Sequence, residues 1–471
     1  MKSIERNVFQ LLTLVFVLTW TTAAPTIDTS ILSSFSTKEN VNILISFREN
    51  SIYEVRRKIS AQAIPNRNQR AIALYTALKQ HADITQGNVL RKLRTSLAEN
   101  TQVKQLWITN QLVVKNANKK LVENLFQMHE VSAISEETFV KLNTPVIGEA
   151  LEHTDGINVD PPWGVGAMQA PEVWATGING SGVVVANIDT GVLHTHEALK
   201  NNYRNLHGWY DPVKGNPEPY DDHSHGTHVM GTAVGNANGI GVAPGATWIA
   251  CKGCTLDGEC SRLDLLLCGQ WVTCPDVEEQ NPQCDTPNVV SNSWVEDSGS
   301  SWYDEIIFTW RLAGIAPVFG IGNDGPNCGT VRSPGDSNFA IGVGAHNSSD
   351  FMASFSSVGP TKAGNIKPDI AAPGVAILSA HNSAPNAYAT FSGTSMATPH
   401  AAGLVALLFS RKPDMSVFEI PGLLVAGAMP VKPSGRDCGG IGENVYPNHH
   451  AGSGKINAVA SLSRLEKLMK V

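Results

Sequence analysis

The chain has 471 residues, 42% hydrophobic and 16% charged, with 35 Lys+Arg against 42 Asp+Glu and a net charge of −7. Such a length accommodates two or three domain units around a large buried core. The composition excludes a disordered polyampholyte, a multi-span membrane protein and a nucleic-acid binder with a general basic footprint. The mean conceals an asymmetry. Residues 24–142 carry 16 basic and 10 acidic side chains, whereas residues 143–471 carry 17 and 31. Opposite charge on two segments of one chain points to parts that meet.

Residues 1–23 read as an export signal, with Lys2 and Arg6 ahead of an apolar stretch from Val8 to Trp20 and small residues ending at Ala23. This predicts a secreted, extracellular protein with no membrane span. From there to residue 142 the pattern predicts a small α+β unit without cysteines. It consists of an alternating strand over 41–47, a helix over 68–97, a strand over 107–114, a helix over 118–128 and a strand over 131–134.

Beyond residue 180, apolar strands at 183–188, 247–251, 288–291, 316–319 and 340–343 alternate with helices at 227–234, 262–272, 303–312 and 395–409. That alternation predicts an α/β fold, a doubly wound, mostly parallel sheet with helices on both faces. Functional residues are then expected at the carboxyl ends of strands. Ser301 and Asp304 have the spacing of a capping box for the third helix, and Gly314 is placed to end it in a left-handed conformation.

The eight cysteines, at 251, 254, 260, 268, 274, 284, 328 and 438, are an even number in an exported chain and predict disulfides. Cys274 and Cys284 flank a polar insertion and are placed to close it. Cys251-Lys252-Gly253-Cys254 has redox spacing but lacks a thioredoxin-like context. Asn179 and Asn347 stand in glycosylation acceptor triplets, which predicts a glycoprotein.

Four motifs carry chemistry. Val184 to Gly191 is an apolar strand ending in Asp189, where a carboxylate orients a histidine and stabilises its imidazolium form. An aspartic dyad would need a second such turn, and Asp297-Ser298-Gly299 follows Val295-Glu296 rather than an apolar pair. His223, His225 and His228 invite a metal reading, but no general base stands at metalloprotease spacing, so His225 is read as the base and His228 as a packed helix histidine. Asn323 follows the strand at 316–319 and directs an amide toward the same cleft. Ser395 opens a strongly apolar helix, where N–H groups and the helix dipole stabilise an oxyanion; Ala397 excludes the Gly-x-Ser-x-Gly elbow.

Taken in chain order, Asp189-Thr190-Gly191, His225-Gly226-Thr227-His228, Gly322-Asn323 and Gly393-Thr394-Ser395-Met396-Ala397-Thr398-Pro399 resemble the motifs of the subtilisin-like serine proteases, peptidase family S8. Asn292-Ser293-Trp294 and Gly325-Pro326-Asn327-Cys328-Gly329-Thr330 are most similar to the bacillopeptidase F branch. The resemblance covers about residues 163–460. It implies a secreted serine endopeptidase made as an autoprocessed zymogen, with Asp189, His225 and Ser395 catalytic, Asn323 in the oxyanion hole, and Ser293, Trp294 and Val295 binding substrate backbone.

The same resemblance implies that residues 24–142 are an inhibitory, chaperone-like propeptide, that its boundary falls within 142–155, and that residues 143–471 are the catalytic domain. The tail over 138–144 is expected in the cleft as the first substrate. Partners are then polypeptide substrates and the chain's own propeptide, without nucleic acid or membrane, and the enzyme is a monomer. No cofactor or metal is required, although calcium is possible. The alternative is a secreted, catalytically silent pseudoprotease that binds polypeptide. Where the family usually has glycines, this chain has Val295-Glu296-Asp297, which is expected to narrow the primary pocket or favour basic side chains.

Overall fold

The computed structural model describes residues 25–62, 64, 66–96, 100–143, 146–151, 161–276 and 283–470. The export signal read in residues 1–23 lies outside them. Among the described residues no helix is long and apolar enough to cross a membrane.

The later part of the chain is built on a seven-stranded, all-parallel sheet. Its strands run in the order Ile370–Pro373, Ile341–His346, Ala316–Gly320, Val289–Asn292, Val184–Asp189, Thr247–Lys252 and Trp209–Tyr210. A sheet covered on both faces needs strands without polar alternation, and four of these are buried at every position. One face packs Val185, Val318 and Val343 against Leu404 and Leu407 of the helix Thr394–Arg411, next to the helix His225–Val234. The opposite face packs Ile188, Val290 and Phe319 under the helices Arg262–Thr273 and Asp304–Ala313. From Val184–Asp189 the chain goes to Trp209–Tyr210 and Thr247–Lys252 on one side and then to Val289–Asn292 on the other. At such a reversal the carboxyl ends of neighbouring strands open a crevice.

The N-terminal unit has a five-stranded sheet, in the order Thr26–Ile27, Val131–Glu136, Asn40–Phe47, Gln111–Asn118 and Gln102–Leu106. In Asn40–Phe47 the expected alternation holds, with Val41, Ile43, Ile45 and Phe47 turned into the core. The strand expected over 107–114 is instead interrupted. Gln102–Leu106 and Gln111–Asn118 are separate strands, and between them Asn110 takes a positive φ of 52°. Asparagine tolerates this conformation, and its Oδ1 accepts hydrogen bonds from Thr85 Oγ1 and Gln86 Nε2. The apolar Trp107 and Ile108 that suggested a strand are buried against the second unit, in one cluster with Leu266 and Trp271.

The capping box expected at Ser301 is absent. The helix Asp304–Ala313 has no side-chain cap, and its start is fixed by Tyr303, which is buried with its hydroxyl donating to Leu265 O at 3.0 Å. Gly314 ends the helix with φ 84°, as its position implied.

Charge asymmetry is expressed where the two units touch. Lys115 Nζ lies 2.6 Å from Asp264 Oδ1, and Arg56 lies 3.6 Å from Glu305. Arg67 donates to Thr286 O at 2.8 Å and to Pro287 O, while Arg70 donates to Leu312 O at 3.1 Å. Burial pushes the Arg67 guanidinium down to about 10, so it still carries its charge at neutral pH.

All eight cysteines are paired, as Cys251–Cys268, Cys254–Cys260, Cys274–Cys284 and Cys328–Cys438. The local closure of the insertion by Cys274 and Cys284 is as expected. Cys251 and Cys254 bond to different partners, so their spacing does not mark a redox pair.

Three histidines are buried in the core. Burial pushes His228 down to about 3, and His346 and His400 down to about 4. His228 Nε2 is held between the carbonyls of Ile377 and Ala389, with its ring stacked 4.3 Å from Phe391. Because the folded-state values lie below the ordinary value of about 6.5, the unfolded chain takes up these protons first as pH falls. Stability is therefore complete above pH 6.5 and is lost as pH descends toward 4. At pH 5 each group withholds about 2 kcal/mol, at 1.36 kcal/mol per pH unit. Urea unfolding of an inactive variant is expected to show a midpoint that falls steeply between pH 6.5 and 4.5. A flat profile there would show that these imidazoles are not buried in neutral form.

Candidate active site

Each functional side chain is set by the end of an element. Asp189 is the last residue of the strand Val184–Asp189, so its carboxylate emerges at the crevice. Its Oδ1 accepts from Thr190 N at 2.8 Å and from His225 Nδ1 at 2.7 Å. A carboxylate only accepts, so Nδ1 carries the proton and Nε2 is left as the basic nitrogen. His225 opens the helix His225–Val234, and both it and Asp189 are buried. Gly226 allows the close approach: a methyl group there would lie 2.1 Å from Gly191 O and 3.2 Å from Asp189 Cβ.

That helix start is clamped by residues that the motif reading passed over. Asp221 accepts from His223 N and Ser224 N through Oδ1, and from Thr227 N and Thr227 Oγ1 through Oδ2. Thr190 Oγ1 bridges Asp221 Oδ1 and Gly226 N. Lys252, fully buried, sends its ammonium to Thr190 O and to Asp222 Oδ1 at 2.6 Å. An aspartate shortly before a helix start was a readable capping signal; the lysine had none, since it reaches the site from another strand.

Ser395 is the second residue of Thr394–Arg411, buried along almost its whole length. Asn323 lies just beyond the strand Ala316–Gly320 and follows Gly322, whose φ is 110°. Its Oδ1 accepts from Thr394 N at 2.9 Å and Thr394 Oγ1 at 3.0 Å, which turns Nδ2 toward the cleft. Between Ser395 and Asn323 sits the backbone carbonyl of Asn143. Ser395 Oγ donates to Asn143 O at 2.9 Å, and Asn323 Nδ2 donates to it at 3.5 Å. The serine hydroxyl thus points at this carbonyl rather than at His225 Nε2, which is buried and without a hydrogen-bond partner among the described residues. Asp189 and His225 are joined directly, and Ser395 and Asn323 meet on one carbonyl oxygen.

The chain leading to Asn143 lies in the cleft as an added strand. Phe139–Leu142 pairs antiparallel with Glu259–Ser261 on one side and with Trp294–Val295 on the other. Asn143 N then donates to Ser293 O at 3.2 Å, and Leu142 N to Gly258 O at 2.9 Å. Of the residues expected to bind substrate backbone, Ser293, Trp294 and Val295 all line this strand. Trp294 does so with its main chain only, because its indole is buried against Tyr303 and Phe319. The wall formed by Gly258 to Ser261 had no motif to announce it. Val146–Leu151 continues beyond the cleft and pairs with Tyr388–Ser392.

The carboxylates of Glu296 and Asp297 do not form an anionic pocket for basic side chains. Glu296 contacts Arg262, and Asp297 accepts from Arg332 Nη1 at 2.6 Å, so each has a resident counter-charge.

Comparison with known proteins agrees with this architecture. The model of the Subtilase family matches residues 180–454. Bacillopeptidase F of Bacillus subtilis (strain 168) is 35% identical over 479 aligned residues, covering 93% of this chain and 32% of that protein. Serine protease AprX of the same organism is 35% identical over 55% of this chain and 65% of its own length. M-protease of Shouchella clausii (strain KSM-K16) is 31% identical over 78% of this chain and 93% of its own. The chain therefore spans about a third of Bacillopeptidase F and just under two thirds of AprX. The chain therefore belongs to the Subtilase family, and within it is Bacillopeptidase F-like.

Proposed function

We propose that this chain is a secreted serine endopeptidase, made as a zymogen whose N-terminal unit is its inhibitor and first substrate. The observation that carries this reading is the Asn143 carbonyl, held by Ser395 Oγ and Asn323 Nδ2 at the end of a strand that fills the cleft. The alignment with Bacillopeptidase F is long enough to reach into the N-terminal unit, which supports a shared precursor architecture. Four disulfides suit an oxidising compartment and support export.

The geometry supports the following roles. Ser395 Oγ attacks a peptide carbonyl while His225 Nε2 takes its proton and passes it to the leaving amine. Asp189 holds the imidazole with Nε2 unprotonated and stabilises the imidazolium that forms. Asn323 Nδ2 donates to the oxyanion, and Thr394 fixes that amide in place. Substrates are polypeptides in extended form, because the cleft recognises a strand through main-chain hydrogen bonds on both edges. Nothing in these steps requires a cofactor; calcium, if bound, would have a structural role.

The test is hydrolysis of an unfolded polypeptide by the purified, exported chain in the presence of a chelator. Turnover that stops on treatment with a fluorophosphonate supports the reading. An exported chain that binds the polypeptide without cutting it would instead be the pseudoprotease.

A further inference from the structure

The primary pocket of this chain is occupied by its own Asn143, and what surrounds that side chain is specific. Asn143 is 3% exposed, and its Nδ2 donates to Thr394 Oγ1. A hydroxyl has one proton, and Thr394 Oγ1 donates it to Asn323 Oδ1 at 3.0 Å, leaving a lone pair for the amide of Asn143. The side chain before the cleaved bond is therefore connected through one hydroxyl to the amide that stabilises the oxyanion. Gly320 borders this contact: a methyl group there would lie 3.3 Å from Thr394 Oγ1 and in ordinary contact with Asn143 Nδ2 at 3.5 Å.

Arg332 lines the same cleft. Its stem crosses Gly322, where a methyl group would lie 2.7 Å from Arg332 Cγ. Its guanidinium is tied at both ends, by Asp324 at 2.7 Å and Asp297 at 2.6 Å. These three residues line the same cleft as Asn143, Val295 and Asn323. Two carboxylates outweigh the one guanidinium, so this wall offers no net positive charge to an acidic side chain. A long side chain at this position would run toward the arginine, whereas a short amide finds its acceptor in Thr394 Oγ1.

We propose that the chain first cuts itself between Asn143 and the residue that follows, Thr144, and that the pocket formed by Thr394, Gly320 and Arg332 selects asparagine before the cleaved bond in later substrates. The proposal rests on the serine endopeptidase reading above. In the first turnover Ser395 Oγ bonds to the Asn143 carbonyl carbon as the bond to Thr144 N breaks, and the hydroxyl proton passes through His225 Nε2 to the departing amine. Water then hydrolyses the ester, which releases the N-terminal fragment with a carboxylate on Asn143 and restores Ser395.

Two measurements test this, each made beside fluorophosphonate labelling of the same sample. Mass spectrometry of the fragments formed early in maturation is expected to give one ending at Asn143 and one beginning at Thr144. Peptides that differ only at the residue before the cleaved bond are expected to give kcat/KM at least tenfold higher for Asn than for Leu or Lys. Arg332→Gly is expected to narrow that ratio by raising cleavage after Leu. A labelled chain cut at another bond overturns the processing site, and a labelled chain with equal kcat/KM for the three peptides overturns the selectivity, while leaving the endopeptidase reading intact. A chain that is neither labelled nor cut overturns both.

Discussion

Ser395→Ala is expected to leave the chain uncut and to lower hydrolysis of peptides by about 10⁶-fold in kcat, a size known for the nucleophile in this family rather than calculated from this site. Alanine removes only a hydroxyl from the start of a buried helix whose fold does not depend on it. The one side-chain bond lost is that from Oγ to Asn143 O. The variant should therefore accumulate as a folded, disulfide-bonded precursor with both units docked, and its mass identifies it. Normal maturation of this variant without any other protease present would mean that a different group attacks the Asn143 carbonyl.

Asp189→Asn should be nearly as severe, with kcat falling by about 10⁴-fold, the loss seen when an asparagine replaces the aspartate of such a triad. The substitution is close to isosteric, and the bond from Thr190 N can persist. What changes is the partner of His225 Nδ1. An amide nitrogen facing the ring would donate, which forces the proton onto Nε2 and removes the base. An amide oxygen facing it keeps the tautomer but stabilises the imidazolium far less. Thermal unfolding should shift by only a few degrees, so a large drop in kcat with an unchanged melting profile separates this role from a structural one.

Apolar strands and the motifs at their ends were legible because their signal is local. An all-buried strand such as Val289–Asn292 is mostly hydrophobic whatever its neighbours are, and a turn such as Asp189-Thr190-Gly191 has its own letters. The strand expected over 107–114 failed for the complementary reason. Trp107 and Ile108 are apolar because they are buried against the second unit, and a sequence pattern does not say which surface an apolar residue covers. The capping box at Ser301 was displaced by burial of Tyr303, a tertiary effect stronger than one side-chain hydrogen bond. Short strands rich in Gly, Ala and Pro, such as Ile370–Pro373, carried too little β character to be read.

Within the site, the groups invisible to the motifs are those that act from a distance along the chain. Lys252 steadies the Thr190 turn from a neighbouring strand, Asp221 caps the helix that presents His225, and Thr394 holds Asn323. Of the tail expected in the cleft over 138–144, Phe139–Leu142 and Asn143 lie there and residue 144 is outside the described residues, while nothing in the letters singled out Asn143 as the residue whose carbonyl faces Ser395.

The central claim is that Asp189, His225 and Ser395 form one chemical unit, and the most direct measurement is the site and rate of phosphonylation. Peptide mapping of the matured chain after fluorophosphonate treatment should find a single adduct on Ser395, formed at least about 10³-fold more slowly in His225→Ala, since general-base assistance contributes roughly 10²–10⁴. An adduct on another residue, or an unchanged rate in His225→Ala, would contradict it.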